Sequence, residues 1–90
     1  MTKAQSLFTF IENSAEADNL ADEIKILERN INNLDHLIEE VEDGNYSNET
    51  LETLVKERNE TNLERIKLEL RKNRLEKEML EFELTAAEAE

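Results

Sequence analysis

The residues that most suggest metal chemistry are His36 and Glu40, which are one helical turn apart. A histidine and a carboxylate at this spacing can contact one metal ion, but a catalytic zinc site needs three protein ligands. Asn33 stands where the Glu-x-x-His motif of a di-iron bundle would require a glutamate. The chain has no other histidine and no cysteine. We therefore expect no metal or cofactor site and a solvated His36.

The remaining side chains also lack a pattern that is typical of an enzyme. A single glycine is too few for a glycine-rich phosphate loop, and no serine or threonine has a histidine and an acid placed to activate it. Acid–base pairs can be chosen freely from 23 acidic residues, but a reaction site also needs a concave pocket. We predict no catalytic residues and a non-enzymatic protein.

The segment 35–52 is rich in acidic residues and contains no lysine or arginine. We call six of them the acidic tip: Glu39, Glu40, Glu42, Asp43, Glu49 and Glu52. Four of these are at the C-terminal end of the predicted first helix, where the helix macrodipole disfavours negative charge. Two interpretations stay open, a docking surface for a basic protein and a helix end that serves only solubility.

Two long helices must position these groups, because an apolar heptad stripe runs along the first half of the chain. This stripe ends three residues before Gly44, the only glycine. Its members are Leu20, Ile24, Leu27, Ile31, Leu34, Ile38 and Val41. The sequence predicts helix one over residues 3–43, a turn at 44–47 with Tyr46 at its centre, and helix two over 48–88.

The second helix carries a matching stripe if the two helices pair in antiparallel fashion. Its apolar members are Leu51, Leu54, Leu68, Leu75, Met79 and Phe82. Val41 then faces Leu51, and Ile24 faces Leu68. Arg58, Arg65 and Lys72 occupy three further layers, where their stems can cover leucines while their charges reach solvent or acids on helix one. We call the two stripes together the seam, and they predict an all-α, antiparallel two-helix coiled-coil hairpin forming one domain over residues 1–90.

A parallel dimer is the alternative pairing, since isoleucine and leucine alternate along helix one in the pattern that such dimers prefer. Continuing that pairing through helix two would stack Arg58, Arg65 and Lys72 on their own copies. Like charges in a core are costly, so the hairpin is favoured, although a parallel dimer through helix one alone stays open.

A second apolar stripe lies on helix two, away from the seam. We call this set the outer stripe: Leu63, Ile66, Leu70, Leu80 and Leu84. Asn73 and Lys77 interrupt it. Contiguous exposed apolar residues mark interfaces, so we expect a homo-oligomer, with a dimer and a four-helix arrangement favoured, or the docking of a different protein.

The helix ends have alternative interpretations. Thr2 or Ser14 can cap helix one, and the N-terminal residues can extend it, with Phe10 on Phe82, or fold back as a short separate helix that uses Leu7, Phe8 and Ile11. Gly44 suits a left-handed position after helix one, and Ser47 or Asn48 can cap helix two.

Composition and charge limit the class of function. The formal charge of −12 on 90 residues disfavours direct binding to nucleic acid and is compatible with a basic protein partner. No stretch is apolar enough for a membrane span, and the absence of cysteine fits a cytoplasmic protein. We expect a coiled-coil interaction or assembly module, similar in composition to small phage structural or accessory proteins. The alternative is an acidic inhibitor, of the anti-defence or anti-CRISPR kind, that imitates nucleic-acid charge.

Overall fold

The computed structural model describes residues 3–44 and 47–88. It contains two α-helices of 41 residues each, α1 (Lys3–Asp43) and α2 (Asn48–Glu88). The helices pack side by side as a rod that measures 67 × 16 × 16 Å along its principal axes. The predicted all-α helical hairpin is therefore confirmed.

The open end of the hairpin, where α1 begins and α2 ends, is fixed by an aromatic pair. The rings of Phe10 and Phe82 stack with their centroids 5.0 Å apart. α1 runs without a break through Ser14, because no proline or glycine interrupts it. A second helix start at Ser14 and a folded-back N-terminal helix are therefore both wrong. The other candidate cap, Thr2, lies outside the described residues.

The core of the hairpin is narrow and belongs to α1. Four apolar side chains, Ala17, Leu20, Ile24 and Ile31, are only 5–7% exposed. Half-buried residues continue the seam at Leu27, Leu34, Ile38 and Val41 of α1 and at Leu51, Leu54, Leu68, Leu75, Met79 and Phe82 of α2. No described residue of α2 is fully buried, because one neighbouring helix covers only one stripe of its surface.

The basic residues of the seam find two kinds of partner. Arg58 donates from Nε to Asp35 Oδ1 of α1 at 3.0 Å, as the hairpin pairing predicts. Arg65 instead donates to Glu69 of its own helix at 2.8 Å.

Lys72 behaves like Arg65 and pairs with Glu76 at 2.8 Å within α2. The hydrogen bond to Glu76, together with the negative charge of that carboxylate, raises the pKa of Lys72 above its ordinary value.

Two further polar contacts join the helices. Arg71 donates to Glu16, and Asn13 donates from Nδ2 to Glu78 Oε2 at 3.3 Å. These pairs are solvent-exposed, where each contributes about 0–1 kcal/mol.

The second helix starts with a serine cap. The backbone N–H of Thr50 donates to Ser47 Oγ at 3.3 Å, which satisfies one of the free donors at the helix start. Within the described residues no backbone φ is positive. The left-handed conformation expected of Gly44 is therefore wrong. Its φ is not positive, so a residue with a β-carbon could also adopt it. Asn45 and Tyr46, at the centre of the predicted turn, lie outside the described residues.

Candidate protein-interaction surfaces

The outer stripe lies on the side of α2 that does not face α1. Its five members, Leu63, Ile66, Leu70, Leu80 and Leu84, are 39–58% exposed. The seam residues of α2 occupy the positions that face α1. The residues of the outer stripe lie on another face of the helix, and α1 does not cover them. Asn73 and Lys77, which divide the stripe, are exposed as well.

Val55 extends the outer stripe toward the acidic tip, an extension that the sequence reasoning missed. It is 38% exposed and lines a shallow groove together with Leu51 and Leu63. Val55 precedes Leu63 by eight residues, which is about two helical turns. The polar Asn59 stands between them, so the three-and-four spacing that reveals the rest of the stripe is interrupted here.

A smaller apolar cluster lies at the open end of the hairpin on α1. Leu7, Phe8 and Ile11 are 51%, 67% and 55% exposed. They are within one turn of Phe10, and its stacking on Phe82 places them at the height of Leu80 and Leu84 on α2. Both helices are therefore apolar on the outside at this end, whereas around Leu63–Leu70 only α2 presents a stripe.

Two further exposed apolar residues of α1 stand alone. Ile26 is 54% and Leu37 is 45% exposed, and neither belongs to a stripe. Single apolar residues on a surface are normal in folded proteins. They carry no argument for binding, but they provide matched controls for substitutions in the outer stripe.

The acidic tip is solvent-exposed at the end of the rod where α1 ends and α2 begins. All six carboxylate residues, Glu39, Glu40, Glu42, Asp43, Glu49 and Glu52, are exposed. Glu49 lies in the first turn of α2, where the macrodipole favours a negative charge. The last turn of α1 contains no basic residue, so its acidic side chains lie at an unfavourable helix end without local neutralisation.

His36 is an exposed residue on the surface of α1. Within residues 3–44 and 47–88, no three or more histidine, cysteine, aspartate or glutamate side chains are arranged to hold a metal ion. Over the same residues, neither helix is long and apolar enough to cross a membrane.

Comparisons with models of protein families, with curated proteins and with solved structures find no match. The surfaces of the hairpin itself are therefore the indication of its function. Of these, the outer stripe is the longest row of exposed apolar side chains, and each side chain of this size gains about 1.5–3 kcal/mol on full burial.

Proposed function

We propose that this chain is a non-enzymatic, cytoplasmic protein–protein interaction or assembly module that docks through the outer stripe. The observation that carries the proposal is the row of five large apolar side chains on α2, each more than one third exposed. Exposed apolar rows of this kind, flanked by polar residues, are typical of interaction sites. An amphipathic helix of a partner would bury them at the same three-and-four spacing.

The hairpin supports this role because the packing of α1 against α2 holds the outer stripe in a helical conformation. The seam and the Phe10–Phe82 stack fix α2 along its whole length, so the outer stripe is presented as a preformed helical surface. A preformed surface loses less conformational entropy on binding than a segment that must fold first. The seam residues are thus the scaffold, and the outer stripe is the contact surface.

The test of this proposal is a double substitution, Leu70→Glu with Leu80→Glu. We expect it to abolish association with any partner, including a second copy, because charged side chains would have to be buried in the contact. Circular dichroism should show unchanged helix content, since both residues lie outside the seam.

The matched control is Ile26→Glu with Leu37→Glu, which adds the same charge at isolated residues of α1 that are also exposed, by 54% and 45%. We expect this variant to associate like the wild type. Equal association by the wild type and the outer-stripe variant, measured by size-exclusion chromatography and by capture from lysate of the source cells, would contradict the proposal.

The acidic tip supports a second candidate function, inhibition of a nucleic-acid-binding protein by imitation of phosphate charge. The supporting observation is that all six tip carboxylates are exposed around one end of the rod. Changing Glu39, Glu40, Glu42 and Asp43 to glutamine should then abolish capture of the target while helix content is retained. Such binding should also weaken steeply with added salt, and binding that is indifferent to salt would contradict this candidate.

A further inference from the structure

We infer that the occupant of the outer stripe is a second copy of this chain, packed with its α2 antiparallel to the first. The inference rests on the proposed interaction function and names the partner for the same surface. It commits to a symmetric dimer in which each copy uses the same residues, as most soluble homo-oligomers do.

The outer stripe is nearly symmetric about its polar interruption, which suits an antiparallel contact. When Asn73 of one copy lies opposite Lys77 of the other, Leu70 faces Leu80 and Ile66 faces Leu84. Each apolar pair then occurs twice, once on either side of the two-fold axis. The polar centre would fix this register, as buried polar residues do in coiled coils.

Charge along α2 favours the antiparallel over the parallel arrangement. Residues 78–88 contain four acidic and no basic side chains. Among the basic residues of the segment 62–72, Arg65, Arg71 and Lys72 pair within the hairpin, whereas Lys67 is exposed beside the outer stripe. The antiparallel register lays the acidic segment of each copy along Lys67 of the other. A parallel contact would instead place acidic against acidic, which costs association free energy.

One ion pair between the copies follows from this register. Lys67 and Glu81 are two heptads apart on the same edge of the outer stripe, and both are exposed. In an antiparallel contact, residues on the same edge of the two helices meet each other, so Lys67 of each copy lies near Glu81 of the other. Two-fold symmetry makes this pair twice.

The surface area of the single hairpin also leaves room for this contact. Its accessible surface is 7108 Å², which exceeds by about 1,700 Å² the surface of a compact monomer of its mass. A standard interface removes about 800 Å² from each partner. The excess follows from the elongated shape of the rod, and it is large enough to contain an interface of ordinary size.

The experiment is a charge exchange between Lys67 and Glu81, measured by sedimentation equilibrium over a series of protein concentrations. Lys67→Glu and Glu81→Lys should each raise the dimer Kd about tenfold, because two attractive pairs become repulsive in every dimer. An equimolar mixture of the two variants should restore wild-type affinity as a mixed dimer, because both pairs are again of opposite sign.

Matched charge reversals on α1 serve as controls. Arg29→Glu and Glu12→Lys alter exposed residues that are not part of the outer stripe, and we expect them to leave the Kd unchanged. Helix content, followed by circular dichroism, should be the same in all variants.

The outcomes separate the two proposals. A wild-type chain that stays monomeric at every concentration overturns the second-copy inference, while the proposed function still stands if Leu70→Glu with Leu80→Glu abolishes capture of another protein. A dimer that neither the charge exchange nor the leucine substitutions weaken overturns both proposals. A dimer that weakens with each single reversal and recovers in the mixture supports the antiparallel second copy.

Discussion

Phe10 and Phe82, from opposite ends of the chain, stack with an interplanar angle of 29° and ring centroids 5.0 Å apart. This contact carries the seam to the open end of the hairpin, far from the turn that joins the helices. It also sets the height at which the exposed Leu7 and Phe8 lie relative to Leu84 of α2. The aromatic pair thus joins the two helices at the open end and aligns the residues around it.

We expect the two rings to stabilise each other beyond the apolar area that they bury. In a double-mutant cycle of Phe10→Leu and Phe82→Leu, the coupling free energy should be about 0.5–1.5 kcal/mol in favour of the aromatic pair. Urea unfolding followed by circular dichroism measures it. A coupling of zero would mean that the two rings do not interact in solution and that the open end is frayed.

Ile24 and Ile26 provide a test of the seam within a single helical turn. Ile24 is 7% exposed and Ile26 is 54% exposed. Ile24→Ala should lower the free energy of unfolding by about 2–4 kcal/mol, because it removes buried methyl groups and leaves a cavity. Ile26→Ala should change it by less than about 0.5 kcal/mol. Similar losses in the two variants would place the core on a different face of α1.

The serine cap of α2 gives a second matched pair. Ser47→Ala removes the acceptor of the Thr50 N–H and should lower the free energy of unfolding by about 1 kcal/mol. Ser14→Ala, inside α1, should be neutral or slightly stabilising, since alanine has the higher helix propensity. Thermal unfolding of the two variants measures both effects. A loss of stability in Ser14→Ala would indicate that a helix starts at Ser14 and would contradict the continuous α1.

The Lys72–Glu76 pair predicts a pH effect at the alkaline end. The pKa of Lys72 is raised in the folded chain, mainly by its hydrogen bond to Glu76. The stability that this pair contributes is therefore fully present below the unfolded lysine pKa of about 10.4 and is lost as the pH rises through the folded value. An NMR titration of the Lys72 side chain should show a lower pKa in Glu76→Gln. Glu83→Gln, further along α2, should leave it unchanged, and an equal fall in both variants would contradict the specific pairing.

The sequence alone favoured the hairpin over the other pairings of its helices. Helix geometry places residues three and four apart on one face, so the spacing of Leu20, Ile24 and Ile31 already marks the side of α1 that must be covered. The second half of the chain offers a complementary stripe in antiparallel order, whereas a parallel pairing would stack Arg58, Arg65 and Lys72 on their own copies. The outer stripe was visible for the same reason, since its members follow the same spacing on another face of α2.

Only the tertiary structure decided which partner each charged side chain takes and where the first helix starts. Arg58 reaches Asp35 across the hairpin, while Arg65 pairs within its own helix. Arginine side chains are long and flexible and can reach an acid on either helix. The spacing along the sequence therefore does not show which acid each arginine pairs with. Likewise, the sequence left open whether residues before Ser14 extend helix one, and the structure shows that they do, with Phe10 stacked on the distant Phe82. Periodicity fixes the faces of a helix, whereas the pairing of long side chains and distant ends depends on distances that exist only after the two helices have packed.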